Sequence, residues 1–363
     1  MRTRVASYKV KQDSVRVLVG LMLCGLFGIG SMSPAVGDRW VMKSDMPTAR
    51  MALSTSVVNG RIYAIGGQIT NFEVLSAVEE YNPETDSWVK RADMPTARRS
   101  LSTSAVNGKI YAIGGYRVGG IFSLVEEYDP LTDTWTQKAT MPTARYGVST
   151  CVVGDKIYAI GGAGAGNEDV SAVEMYDPAT DTWTKKADMP TARFAVSVGV
   201  VEGKIYAIGG GILKNDQDTP VPIVEEYDPL TDTWTSKADM PGEEYIDTSS
   251  VLDGNIYLFG GLEGTVVAGP EGPAANAVKI VRCYDPVTDT WTRKTDMPSP
   301  RVGASASAVD GKIYLIGGSE GVPEQRADRV PLSIVEEYTP EGQPSGVSFW
   351  GKLPTKWGKV KSD

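Results

Sequence analysis

Six Gly-Gly pairs, beginning at Gly66, Gly114, Gly161, Gly209, Gly260 and Gly317, recur at intervals of 47 to 57 residues. Each closes the same short apolar phrase, as in Arg61-Ile62-Tyr63-Ala64-Ile65 or Lys109-Ile110-Tyr111-Ala112-Ile113. A unit of this length cannot bury its apolar face alone, so the copies must stack. A period near 50 residues with strand chemistry in each copy points to an array of four-stranded blades.

Every unit carries its parts in one order. A small-residue strand such as 100–106 is followed by Asn107-Gly108 and the Ile-Tyr strand. After Gly-Gly comes a loop of variable length, then a strand ending at Tyr81, Tyr128, Tyr176, Tyr227, Tyr284 or Tyr338. A turn such as Asp129-Pro130-Leu131-Thr132-Asp133 leads to a fourth strand near a tryptophan, and Met-Pro-Thr-Ala-Arg opens the next unit. Asn-Gly between apolar runs favours a two-residue hairpin, because both turn residues need positive φ. The strands alternate with period two and are rich in Val, Ile, Thr and Tyr. Asp-Pro presets φ at the second turn. No long segment after residue 40 has a 3.6-residue apolar period, so helices are expected to be rare and the chain all-β.

Gly-Gly followed by a spaced Tyr and a spaced Trp, six times in register over about residues 40–342, resembles the kelch repeat. The resemblance implies a six-bladed β-propeller with four antiparallel strands per blade. Trp40 precedes the first Gly-Gly, and no Thr-Asp-Thr-Trp follows Tyr338. The segment around Trp40 is therefore expected to supply the last blade's fourth strand and close the ring, leaving no open sheet edge between first and last blades.

The internal copies also expose a charge exchange. Arg50, Arg98, Arg145, Arg193 and Arg301 end the Met-Pro phrase, and Glu79, Glu126, Glu174, Glu225 and Glu336 stand two residues before the third-strand tyrosine. The fifth unit reverses both, with Glu244 and Arg282. Reversing one sign alone would set like charges against each other, whereas reversing both keeps the attraction. The expected structural ion pairs are Arg50–Glu79, Arg98–Glu126, Arg145–Glu174, Arg193–Glu225, Glu244–Arg282 and Arg301–Glu336, each ordering a connection between blades.

The two ends differ from the repeats. Arg2, Arg4, Lys9, Lys11 and Arg16 precede an uncharged run from Val17 to Gly30, and Ala35-Val36-Gly37 offers small residues. Residues 1–37 read as a signal peptide cut before Asp38, giving a secreted or periplasmic protein, with an uncleaved N-terminal anchor as the other reading. Residues 38–342 are the propeller. Residues 343–363 form a basic, aromatic tail with Phe349, Trp350, Trp357 and four lysines. It is either a segment packed on the propeller's outside or a sorting, anchoring or docking tag, the last two allowing contact with an anionic membrane. The chain's formal charge is −9; the leader carries five basic and one acidic side chain, so the remainder stands at about −13. That argues against nucleic acid as a partner. Cys151 and Cys283 fall in different units and strands, so a disulfide between them is not expected and both read as packed small residues.

Blade topology puts the Asn-Gly hairpins and Asp-Pro turns on one face and the loops after Gly-Gly, with the Met-Pro connections, on the other. From the second glycine to the tyrosine the step is 14, 13, 14, 17, 23 and 20 residues in units one to six, so length variation gathers on the second face. Variable loops on a rigid scaffold are where binding specificity resides. The kelch resemblance implies contacts by the residue after Gly-Gly and those after the Met-Pro arginine. The candidate ligand-binding residues are Gln68, Arg99, Tyr116, Arg117, Tyr146, Phe194, Tyr245, Leu262 and Ser319, with filling between blades as the alternative at each. Aromatic residues around a pocket suit a protein, peptide or glycan ligand. Family members that capture acidic peptides have arginines where this chain has Ala52, Ser100, Gly147, Ala195, Ile246 and Gly303, which argues against that ligand.

There is no histidine, which removes imidazole-ligated copper or zinc, and Ser-His-Asp chemistry. No metal and no cofactor is expected, and the reading is a monomeric binding module. One enzymatic alternative stays open. Some exported kelch propellers open and close sugar rings with carboxylates and arginines, and a sialic-acid-type mutarotase or epimerase here would draw on Glu243 and Glu263 as general acid and base.

Overall fold

The computed structural model describes residues 37–341 except 215–216, 243, 246–247, 264–265, 268–275 and 321–329. The leader and tail readings, Ile246 and Glu243 lie outside these residues. Six four-stranded antiparallel sheets follow one another along the chain. In the first blade the order from axis to rim is Ser54–Val58, Arg61–Ile65, Val78–Asn82 and Ser87–Arg91. Only two short 3-10 turns, Thr70–Phe72 and Ala165–Asn167, interrupt the strands among the described residues. The innermost strands neighbour one another all the way round, Ser54–Val58 lying beside both Ser102–Val106 and Ser305–Val309. The chain thus forms a closed six-bladed β-propeller.

Closure follows the pairing read from the tryptophans. Arg39–Lys43 is the outer strand of the sixth blade, in register Trp40↔Tyr338 and Met42↔Glu336 against Val335–Thr339. The other five blades show why this works. In each, the aspartate before the tryptophan accepts the third-strand tyrosine's hydroxyl and a backbone N–H from the preceding connection, and the indole donates to the carbonyl of that same residue. In blade two, Asp133 accepts from Tyr128 at 2.6 Å and from Ala92 N–H at 2.8 Å, while Trp135 donates to Ala92 O at 3.0 Å. In blade six the clamp is assembled from both chain ends: Asp38 accepts from Thr295 N–H at 2.9 Å and Trp40 donates to Thr295 O at 3.2 Å. Asp38-Arg39-Trp40 is therefore the sixth Asp-x-Trp of the chain.

The Gly-Gly pairs mark where each connection crosses the preceding blade. Gly114 has φ +63° and Gly115 +107°, and Gly115 N–H donates to Arg145 O at 3.0 Å. A Cβ on Gly114 would stand 2.6 Å from that same carbonyl. Only glycine admits both the backbone conformation and the approach.

The cores lie between blades rather than within them. One cluster joins Tyr63, Ile65 and Val78 of blade one to Ile110, Ala112 and Tyr128 of blade two, with Met94 of the Met-Pro phrase plugged into it. All six such methionines are at most 2% exposed. Beside each plug runs a buried arginine. Arg145 donates to Gly161 O, Ala172 O and Ala159 O and meets Glu174 at 2.8 Å. Arg50–Glu79 stands at 3.1 Å, Arg193–Glu225 at 2.6 Å, Arg301–Glu336 at 2.7 Å, and Arg98 contacts Glu126. The phrase's threonine adds a hydroxyl bond to the same carboxylate in four units, as Thr143 does to Glu174 at 2.8 Å. In unit five, Arg282 is buried and donates to Pro241 O at 3.0 Å; its expected partner's side chain, that of Glu244, lies outside the described atoms.

Candidate functional site at the loop-face mouth

On the face of the long loops each blade contributes a two-residue bridge across the axis-facing rim. These are Met51↔Gln68, Arg99↔Tyr116, Tyr146↔Ala163, Phe194↔Gly211, Tyr245↔Leu262 and Val302↔Ser319. The residue after each Met-Pro arginine and the residue after Gly-Gly are thus strapped together. The straps surround a cavity of about 410 Å³.

Just inside lies a collar of backbone hydrogen bonds. Ala52 N–H donates to Gly303 O, Ser100 to Ala52 O, Gly147 to Ser100 O and Ala195 to Gly147 O, all at 2.8–2.9 Å. These residues have φ between +47° and +67°. For alanine and serine that is a strained conformation, of the kind found where a site is held in a fixed shape. Below the collar a shaft of about 300 Å³ runs down the axis between serine and threonine hydroxyls. Those hydroxyls staple blades together: Ser102 and Ser104 both bond Thr150 at 2.8 Å, and Ser54 bonds Thr103 at 3.0 Å.

The structure divides the candidate ligand-binding residues. Arg99, Tyr116, Tyr146 and Phe194 line the cavity and are partly exposed. Gln68, Tyr245 and Leu262 also line it but are at most 9% exposed, with Tyr245 and Leu262 packed on Val302. Ser319 is fully buried, away from the cavity lining. Arg117 is exposed, but its guanidinium lies 5.4 Å from the Phe122 ring, outside the cavity. The site is therefore an arc over blades two to four.

Within the arc the groups are held in place. Arg99 sits over Tyr116 at 5.2 Å and Phe72 at 5.5 Å and donates to Gln68 Oε1. Such cation–π stacking fixes a guanidinium's plane. Phe72 has φ +60°, an outlier for a bulky side chain, and its ring is 42% exposed at a loop tip. Tyr116 and Tyr146 are 5.7 Å apart, Phe194 and Tyr245 5.4 Å, both tilted pairs. Among the lining residues that sequence reasoning missed are Phe72 and Asp218, which joins the lining from Gln217–Pro220. Both sit in loops whose course has no repeat to reveal it.

The acid–base pair is not assembled among the described residues. Glu263 is exposed on Leu262–Glu263 and does not line the cavity. No cluster of three or more Asp, Glu, Cys or His suited to a metal occurs among the described residues. Cys151 and Cys283 are free, and burial pushes both thiols up from their ordinary range.

Comparison with known proteins agrees with this geometry. Residues 36–211 match the KLHDC2/KLHL20/DRC7 Kelch-repeats domain, and residues 192–241, 248–298 and 300–343 match the Kelch motif. Kelch repeat and BTB domain-containing protein 12 of Homo sapiens is 32% identical over 31% of this chain and 18% of its own length. Kelch-like protein terF of Aspergillus terreus is 41% identical over 26% of this chain and 20% of its own. Beta-scruin of Limulus polyphemus is 36% identical over 26% of this chain and 10% of its own. The alignments thus span a fifth or less of these relatives. The solved structure of YjhT superposes with a TM-score of 0.67 at 15% identity, over 80% of this chain and 95% of that one, a likeness of fold. Six blades, their closure and the matched repeats place the chain in the kelch-repeat β-propeller family.

Proposed function

We propose that the chain is a protein-interaction module that takes a short segment of its partner into the mouth, against the arc of Arg99, Tyr116, Tyr146 and Phe194. The observation that carries this is the partition of the rim. Four aromatic rings, Phe72 and the three of the arc, and one arginine are left partly exposed around a cavity of about 410 Å³, while Gln68, Tyr245, Leu262 and Val302 are consumed in packing. Rigid aromatic and arginine side chains around a concave centre are the composition of binding hot spots. Kelch-repeat relatives fit an interaction role, and the export read from residues 1–37 belongs to the same proposal.

The test is a thermal-shift screen of the chain against peptide and glycan panels, with affinities for the hits. Tyr146→Ala or Phe194→Ala is expected to weaken a peptide hit by about 30-fold, the effect of losing an anchor worth about 2 kcal/mol. Arg117→Ala, outside the cavity, is expected to leave it unchanged. Hits indifferent to both aromatic changes would sink the proposal, and hits confined to glycans would replace its ligand class.

A further inference from the structure

The opposite end of the axis carries a second concavity with a different chemistry. Between blades four and five, Val201, Glu202, Val251, Asp253, Asp285 and Val287 line a notch of about 570 Å³ on the face of the hairpins and Asp-Pro turns. Val287 is 77% exposed. Asp285 is fixed by accepting Val287 N–H at 2.9 Å and the Thr288 hydroxyl at 2.8 Å.

Comparison among the blades shows what this notch lacks. The first residue of the second strand is basic in five units: Arg61, Lys109, Lys156, Lys204 and Lys312. In blades one to three that cation touches the residue corresponding to Asp285. Arg61 donates to Asn82 at 2.7 Å, Lys109 lies 3.7 Å from Asp129 and Lys156 lies 2.9 Å from Asp177. Blade five has Asn255 instead, and its amide donates to Asp253 O at 3.3 Å within its own hairpin. The one blade without its built-in cation is the one whose turn borders this valine-lined cavity.

The chain leaves the propeller on this same face. The third strand of blade six, Val335–Thr339, runs toward it, and Glu341 N–H donates to Asp38 at 2.9 Å. Asp38 also holds Thr295, in the connection from blade five, so the exit adjoins that blade. Residues 342–348 reach about 24 Å when extended. Phe349-Trp350 and Lys352 come next, then Lys356-Trp357, Lys359 and Lys361. Aromatic rings match the valines, and ammonium groups match a notch where Asp285 faces Asn255 in place of the basic residue that its counterparts in blades one to three meet.

We propose that residues 342–363 dock back into the notch between blades four and five, with an aromatic ring against Val251 and Val287 and a tail lysine at Glu202, Asp253 and Asp285. The tail then supplies from the chain end the cation that Asn255 does not. This contact is separate from the mouth and does not depend on what the mouth binds.

Zero-length carbodiimide cross-linking of the full chain tests it, using an equal mixture of isotope-labelled and unlabelled protein and mass spectrometry. The expected products are links from Lys352, Lys356, Lys359 or Lys361 to Glu202, Asp253 or Asp285 within one molecule. Asn255→Lys, a residue four sibling blades carry at this place, should fold normally and reduce those links several-fold. Tail links to other carboxylates, links only between differently labelled molecules, or no tail links at all would each overturn the proposal. So would a yield unchanged by Asn255→Lys in a chain with normal melting.

Discussion

The five buried arginines settle what the Met-Pro phrase is for. Each is at most 1% exposed, and burial pulls its guanidinium below the ordinary range, to about 10 for Arg145. A charge so placed is tolerated only because a carboxylate and several carbonyls meet it. Removing one partner leaves the other buried and uncompensated. Arg98→Ala or Glu126→Ala is therefore expected to cost about 3–5 kcal/mol in urea unfolding. The paired exchange Arg98→Glu with Glu126→Arg, the signs unit five carries, should recover part of that. A cost near 1 kcal/mol, typical of an exposed pair, would show that the pair is not sealed from water. The charges of this contact were legible because the copies change sign together. The bonds to backbone carbonyls, such as those of Arg145 to Ala159, Gly161 and Ala172, were not, since a backbone acceptor leaves no mark on residue type. The methionine plug and the threonine hydroxyl recur in every copy or nearly so, but recurrence alone names no partner.

At the scale of the element, the closing strand matters most because both chain ends meet in it. Trp40 lies 4.8 Å from the Tyr338 ring and 6.0 Å from Phe259, and Asp38 grips both Thr295 and Glu341. Trp40→Ala is expected to cost about 3 kcal/mol, the low end for an aromatic-to-alanine change because the ring is half-buried. It should also expose Val335–Thr339 as an unpaired edge, so a lower melting point should come with oligomers on size exclusion. Trp135→Ala, in a blade built from one continuous stretch, should lower melting without the oligomers. Equal behaviour of the two variants would mean the closing strand is no weaker a seam than any other. The sequence made the strand visible through the unmatched Trp40. It hid the role of Asp38, because the Asn-Pro or Asp-Pro turn that precedes every other Asp-x-Trp is absent there and the residue stands outside any visible repeat.

At the scale of the whole molecule, the loop lengths foretold which face varies but not which rim residues stay exposed. Tyr245 and Leu262 match the pattern as well as Tyr146 does, yet they pack on Val302 because the fifth unit's long loop returns a strand, Asn276–Ala277, beside Leu262–Glu263. That return depends on loop geometry, which has no repeat to betray it. The aspartate-centred clamps, which latch each blade's outer strand to the preceding connection, by contrast act as a set with one pH dependence. For Asp133 and Asp232 the tyrosine hydroxyl, and then the backbone N–H, hold the carboxylate below the usual range; the tyrosine is also the leading cause for Asp181 and Asp289. For Asp86 burial pushes upward and the same hydrogen bonds outweigh it; for Asp38 burial is outweighed first by the backbone N–H groups of Thr295 and Glu341. A carboxyl whose folded pKa is depressed contributes stability that is fully present above its unfolded value of about 3.9 and is lost as pH falls through the folded value. The melting temperature should therefore change little in these groups from pH 7 to about 4.5 and fall increasingly below about 4. All six latches lose their charge in that window, so the fall should be steep and the ring should open as a unit. Asp133→Asn should lower melting at pH 7 and shrink the loss on going to pH 3. A variant that melts lower by the same amount at both pH values would show that the latch works as a hydrogen bond regardless of charge.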